Sequence, residues 1–432
     1  MKSSVTHFNW AAVLCEGPYK LYWRILHPSN LSIMNFSLVS ISKMRTPVGL
    51  LKLMTFAMPF SFGVWMALFN NFAIEQGGLN GAHIGVLQSW REVPGFLAFG
   101  VVFLLIIIAE QRLAILSLIM LGVGTALTGW LPHFNGLLMT TMLMSVGFHY
   151  YETIKQSLAL QWFSKQEAPV QLGRLISIGA ASSLLAYGWV WAALQVFELP
   201  VAWVYMFGGG VTVVIALIAL VMFPHYESKV PQTKKLVLRK RYSLYYALVF
   251  MGGGRRQIFV VFAALMMVQR FGFGADEVAL MFLVNGLLSM WLAPKIGGLV
   301  ARWGEKRALT LEYTGLILVF LAYSMVEWAP LAVVLYMLDH VLFAMAIAQK
   351  TYFQKIADPA DMASTAGVSF TINHIAAVVL PALMGLLWLV SPSWVFIVGA
   401  MMAVISLMLA RWVPSNPARG DEWQNPFSSR PI

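Results

Sequence analysis

Residues 224–242 read PHYESKVPQTKKLVLRKRY, a run that carries six lysines and arginines against the single acid Glu227. Such a run cannot lie in the core of a bilayer, because a Lys or Arg at the centre of a spanning helix costs about 2.5–3.5 kcal/mol on insertion scales. On both sides of it the chain is almost continuously apolar. Upstream there are six runs, at roughly 53–74, 83–109, 113–131, 134–158, 172–197 and 200–223. Downstream there are six more, at roughly 243–269, 276–294, 308–327, 329–352, 364–389 and 393–413. A crossing helix needs about 20 apolar residues, and each run comes near that length. The apolar residues are continuous rather than alternating, so the spans are helices and not barrel strands.

Composition agrees with that count. Of 432 residues 59% are hydrophobic and 11% charged, whereas a soluble chain carries about 25% charged residues. The net charge of +11 reports position rather than a nucleic-acid partner. With both ends of the chain cytoplasmic, the cytoplasmic breaks hold Arg112, Lys165, Arg174, the basic run 229–241, Lys295, Arg302, Lys306, Arg307, Lys350, Lys355, Arg411, Arg419 and Arg430. The opposite breaks hold Arg270 alone. Positive residues gather on the cytoplasmic side of membrane proteins, so this asymmetry sets the orientation and requires an even number of spans. A multi-pass protein of the inner membrane follows, with 224–242 as a basic, solvated linker held near anionic lipid.

The ends are less informative. Residues 1–52 form no domain and match no secretory leader. They read as a disordered or surface-lying arm, or as an over-extended start with Met34 or Met44 as the true first residue. Residues 414–432 read as a polar cytoplasmic tail. The domains expected are the arm 1–52, a six-helix bundle 53–223, the linker 224–242, a second bundle 243–413 and the tail.

The two halves echo each other. His149 in the fourth span precedes a KQEAP end at 165–169, and His340 in the tenth precedes KIADP at 355–359. Gly81-Ala82 opens the second span as Gly274-Ala275 opens the eighth. Internal repeats of this kind build a binding site between halves in many secondary transporters. The loop between the eighth and ninth spans, 298–307, reads GLVARWGEKR. With Gly298, Arg302, Gly304, Lys306 and Arg307 it resembles the signature loop of the major facilitator superfamily, with Ala301 and Arg302 where the signature has its acid. The resemblance covers about 50–413. The equivalent loop of the first half, 109–112, has lost the pattern, and the Gly-Pro pair of the family's drug antiporters is missing from 175–196. The resemblance implies two pseudo-symmetric six-helix bundles, a central cavity lined by spans 1, 4, 7 and 10, alternating access, and a gating role for the signature loop.

Ionisable residues inside spans are costly and therefore mark function. Arg255-Arg256 stands out. It lies about thirteen residues into the seventh span, about 20 Å deep at 1.5 Å per residue. Neighbours on a helix point about 100° apart, so at most one of the two faces straight into a cavity. A guanidinium there suits a carboxylate or phosphate; the competing role is an ion pair with Glu152, Asp339 or Glu92. The fourth span sets Ser145, His149, Glu152 and Gln156 on one face. The expected substrate contacts are thus Arg255, Arg256, His149, Glu152, Gln156 and Asn373. Glu152, Asp339, His340 and His374 are the candidate proton carriers, because carboxylates and imidazoles titrate. Arg91 and Glu92 are candidate gating residues, and Trp65 a candidate cavity residue.

Enzymatic motifs are lacking: there is no GxSxG, no phosphate-binding GxxxxGK[ST] and no Ser-His-Asp pattern. One cysteine, Cys15, allows no internal disulfide, and eight histidines without ligand spacing predict no metal and no cofactor. The expectation is an all-α secondary transporter, proton-coupled as a symporter or antiporter, that moves a small organic anion. Its partners are lipid, substrate and protons, with no nucleic acid, and the chain is read as a monomer. Two alternatives stay open: an exporter of amphipathic or neutral compounds with structural arginines, and a non-transporting sensor or intramembrane transferase.

Overall fold

The computed structural model describes residues 45–228, 230–273 and 275–425. The proposed arm, but for its last few residues, the alternative starts Met34 and Met44 and the end of the tail lie outside them. The described residues are helices joined by turns, with a longer non-helical stretch over 223–228 and 230–239 and a non-helical tail after 411.

The helices, numbered here in chain order, are α1 (Pro47–Glu75), α2 (Gly81–Phe96, continuing through a 3₁₀ turn Ala98–Gly100 into Val101–Leu104), α3 (Glu110–Thr128), α4 (Phe134–Trp162), α5 (Ala168–Gln195) and α6 (Val201–Met222). The second half holds α7 (Ser243–Gln257, a π turn Ile258–Ala263, then Ala264–Phe271), α8 (Ala275–Trp303), α9 (Glu305–Met325), α10 (Ala329–Phe343, a 3₁₀ turn Ala344–Ala346, then Ile347–Ile356), α11 (Met362–Val390) and α12 (Pro392–Arg411). Among the described residues nine of these are long and apolar enough to cross a membrane. On the outer surface of the helices Val221 of α6 and Leu389 of α11 are each more than 80% exposed, a cost in water that hydrocarbon removes.

Local chemistry sets the helix starts. Pro47 opens α1 behind Thr46, whose Oγ1 accepts the Gly49 amide at 3.0 Å. Asn80 caps α2 through His83 in the same way, and such side-chain caps satisfy donors the helix leaves free. Proline 94 falls near the end of the first part of α2, and the helix tightens into the 3₁₀ turn just beyond it. Gly304, at φ +78°, is the one residue between α8 and α9. It sets the elbow of the signature-like loop, where Arg302 and Arg307 are exposed.

Within the first half α3 packs on α4 and α6, and α1 on α5; in the second α9 packs on α12 and α7 on α11. The halves meet through α5 with α8, and through α2 and α4 with α11. Gly173 and Gly297 permit the first contact: a Cβ on Gly173 would lie 2.3 Å from the Ala293 carbonyl, and one on Gly297 2.2 Å from that of Pro169. The same end of the molecule, where α1 begins and α12 finishes, is closed by Gln354 of α10. Its amide donates to the carbonyls of Leu160 and Phe163 at 2.7 and 2.8 Å.

The basic stretch 224–242 is not a free linker. Its second part lies across the start of α11. Arg239 donates twice to the Asp361 carboxylate, Tyr242 Oη donates to it at 2.8 Å, and the Val237 amide donates to Ser364 Oγ at 2.8 Å. Thr233 N reaches the Ala360 carbonyl at 2.7 Å. Expectation and structure differ because the partners, Asp358 and Asp361, sit some 120 positions further along the chain.

Candidate functional site

A cavity of about 770 Å³ lies between the halves, walled by parts of α1, α4, α5, α7, α8, α10 and α11, with Glu312 of α9 at its edge. It includes the four helices expected to line it. Of the residues expected to touch a substrate, Arg255, Arg256, Glu152, Gln156 and Asn373 line it.

The adjacent arginines part company. Arg256 is exposed to the cavity, and among the described residues no hydrogen bond or ion pair engages it. Arg255 is 1% exposed. Its guanidinium stacks on the Tyr313 ring, 4.3 Å from the centroid, and Nη2 lies 3.7 Å from Glu312 Oε1. Its expected partners Glu152, Asp339 and Glu92 are not the residues it pairs with. Glu312 does not stand out in the sequence because it falls one turn inside the ninth apolar run. Its signal is register: it shares the buried stripe Leu309, Leu316, Phe320 and Tyr323 of α9, a place where a charge is expensive unless paired.

Lys350 is the second residue the sequence misplaces. The charge pattern sets it among the cytoplasmic breaks, but α10 continues to Ile356 and Lys350 faces the cavity. Lys155 also lines it and donates to Glu152 on the preceding turn. The cavity wall thus holds four cations, Arg255, Arg256, Lys155 and Lys350, and two acids, Glu152 and Glu312. Lys155 and Arg255 are matched within the wall; Arg256 and Lys350 have no acid within ion-pair distance among the described residues.

The candidate proton carriers separate too. His340 lines the cavity, its Nδ1 3.4 Å from Asn285 Nδ2. Its neighbour Asp339 does not line the cavity, is fully buried, and among the described residues has no hydrogen-bond partner on either oxygen. His149 and His374 stand outside the cavity wall. They meet Glu92 where α2, α4 and α11 cross: His149 Nε2 and His374 Nε2 lie 3.8 and 4.0 Å from Glu92 Oε2. A Cβ on Gly95 would collide with both rings, at 2.4 Å from His374 and 2.7 Å from His149, so only glycine lets them approach α2 this closely. Arg91 holds the other oxygen of Glu92 and lies over the Trp65 ring. Trp65, fully buried and stacked on Phe69, is packing rather than cavity lining. In the signature-like loop, Glu305 pairs with Lys355 of α10 at 2.7 Å, which ties the α8–α9 elbow to α10.

Two sets of helices around a central cavity, its wall mostly apolar but bearing the charged groups above, are the architecture of a polytopic membrane protein. The Major Facilitator Superfamily description matches residues 51–381, and the chain belongs to that family. Its members are transporters, so this is a membrane transport protein and not an enzyme. No curated protein matches the chain. Among solved structures it is similar to the human organic anion transporter MFSD10, with a TM-score of 0.68 at 14% identity over 85% of this chain and 99% of that one. It is similar to the E. coli transporter FucP in its outward conformation, with a TM-score of 0.69 at 13% identity, covering 85% and 98%. A bacterial homologue of the iron transporter ferroportin, outward-facing, gives 0.69 at 14% identity, covering 84% and 98%. At these identities the likeness is one of fold.

Proposed function

We propose that the protein is a proton-coupled secondary transporter, a symporter or antiporter, for a small organic anion, and that it works by alternating access. The observation that carries this reading is the charge of the cavity: Arg256 and Lys350 face it without acidic partners. Two unmatched cations in a site of low dielectric are stabilised by an anion that lies between them. The planar fork of Arg256 suits a carboxylate or phosphate, and the Lys350 ammonium adds a point charge. Gln156 and Asn373 supply neutral hydrogen bonds to the rest of the solute. The volume of the cavity suits a molecule of modest size. A fold neighbour described as an organic anion transporter is compatible with the reading.

Coupling to protons is assigned to the acids and imidazoles beside the site. A carboxyl as dry as Asp339, with neither oxygen hydrogen-bonded, is costly as a charge and far less so as the neutral acid. Glu152, His340 and His374 complete the set of titratable groups. Gating is assigned to the Arg91–Glu92 contact and the elbow around Gly304. The closed end, held by Gln354, Gly173 and Gly297, then faces the cytoplasm, together with both termini, as the distribution of basic residues requires. We place the protein in the inner membrane as a monomer of two six-helix units, 53–223 and 243–413.

Flux in proteoliposomes tests the reading. A panel of monocarboxylates, dicarboxylates and organophosphates is expected to contain a substrate whose uptake responds to an imposed pH gradient, and Arg256→Ala should abolish that uptake in protein of normal abundance and monodispersity. Uptake of neutral amphiphiles alone, or undiminished anion flux in the variant, would overturn it.

A further inference from the structure

We propose that Glu92, His149 and His374 form a binding site for a divalent transition-metal ion of the zinc class, bridging the two halves of the protein. One ligand atom from each residue lies within 4.8 Å of the others. The residues are 57 and 225 positions apart along the chain, too far for any spacing motif, and come from three helices.

Four features make this more than a chance meeting of polar groups. Each histidine has Nδ1 committed elsewhere: that of His149 lies 2.9 Å from the Ser145 carbonyl, and that of His374 2.9 Å from the Phe370 carbonyl. Donation of Nδ1–H to those carbonyls leaves each Nε2 with its lone pair, aimed at Glu92. Metal-binding histidines are oriented by such outer bonds. The His374 ring is held further by stacking on Phe370 at 4.5 Å. Gly95 removes the side chain that would keep both rings away from α2. Lastly, Arg91 takes Glu92 Oε1 and leaves Oε2 for the histidines.

The donor set decides the ion. Two imidazoles and a carboxylate suit Zn²⁺, Co²⁺ or Ni²⁺; Mg²⁺ and Ca²⁺ prefer oxygen alone. Three protein ligands leave a fourth tetrahedral position for water or an anion. With bonds of about 2.0–2.2 Å, the ligand atoms of a zinc tetrahedron stand about 3.4 Å apart, so the 3.8 and 4.0 Å edges to Glu92 must close by about half an ångström and the edge between the two imidazoles, within 4.8 Å, by up to about 1.4 Å. Glu92, 34% exposed, gives an ion its way in. Since Glu92 and His149 belong to the first half and His374 to the second, the ion would staple α2 and α4 to α11. The site lies outside the anion cavity, but it draws on His374 and Glu92, to which the proposed function gives proton coupling and gating, so a bound ion would compete with the proton at His374 and hold the gate.

The test uses the full-length protein, purified in detergent and stripped with chelator. Co²⁺ titrated into it is expected to give visible d–d absorption of a nitrogen- and oxygen-ligated tetrahedral ion, saturating at one equivalent and displaced by Zn²⁺. Zn²⁺ should also raise the melting temperature. His374→Ala and Glu92→Gln should each weaken Co²⁺ binding by more than about tenfold and abolish the thermal shift, whereas His225→Ala should leave both unchanged. Glu92→Gln, nearly isosteric, carries the test if His374→Ala is poorly folded. Absence of the d–d bands in the wild type, or equal affinity in wild type and Glu92→Gln, would overturn the proposal.

Discussion

Arg255 and Arg256 are neighbours with identical side chains, yet they belong to different regions of the molecule. One is sealed against Tyr313 and Glu312 in the interior of the second half. The other faces the cavity of about 770 Å³ with no hydrogen bond or ion pair among the described residues. The 100° turn between consecutive helical residues is enough to divide structural charge from functional charge. A charge that has its counter-ion built in stabilises or costs stability; a charge left unmatched at a cavity waits for a ligand.

The largest effect should come from breaking the buried member. Arg255→Ala leaves the Glu312 charge buried and unpaired, and should destabilise the protein by about 3–5 kcal/mol. Thermal unfolding in detergent would report it. The double substitution Arg255→Met with Glu312→Leu should restore most of that loss; failure to do so would give Arg255 a role beyond pairing. Arg256→Ala should do the reverse. Melting should be nearly unchanged, while anion binding weakens by about ten- to a hundredfold, the value of charge-assisted hydrogen bonds of about 1.5–3 kcal/mol. Equal melting losses in both variants would erase the contrast between the two arginines. Lys350→Gln is expected to raise the half-saturating anion concentration severalfold with little change in stability, since a point charge is replaced by a neutral donor.

The smallest effect belongs to the docked linker, where the buried Asp361 is matched by arginines that reach solvent. Burial pushes the Asp361 carboxyl up, but hydrogen bonds from Arg239 and Tyr242 and the charges of Arg239 and Arg241 outweigh it, so the group stays below the usual aspartate range. A depressed carboxyl contributes stability above its unfolded value of about 3.9, and that contribution is lost as pH falls. Hydrogen-exchange protection of the Val237 amide should therefore be flat from pH 8 to 5 and fall only in stronger acid. Asp361→Asn should lower it at pH 7 by about 1 kcal/mol, since Arg239 is half exposed.

The fold was legible because a bilayer demands long apolar runs with charges between them, and that pattern is local. The same locality explains what was missed. Lys350 reads as a cytoplasmic residue because it falls in the last turn of the tenth apolar run, beside the basic end of the span, while the helix itself continues to Ile356. Glu312 was hidden near the start of its run, its partner more than fifty positions away. Asp361 gave no sign that it anchors Arg239. The convergence of Glu92, His149 and His374 depends on how α2, α4 and α11 cross, which no spacing along the chain records. What the sequence did carry was the oddity of Arg255-Arg256, because two adjacent cations at mid-span are expensive wherever they point.

The π turn Ile258–Ala263 begins two residues after Arg256. Such a turn holds an extra residue within an otherwise regular helix. Removal of one residue there would let α7 close into an unbroken α-helix without disturbing Arg255 and Arg256 below it. The segment beyond, Ala264–Phe271, would keep its facing, because the wide turn already absorbs the extra residue. Length variation in α7 therefore has one forgiving address, and among relatives of this chain a single-residue gap in that helix should fall within 258–263.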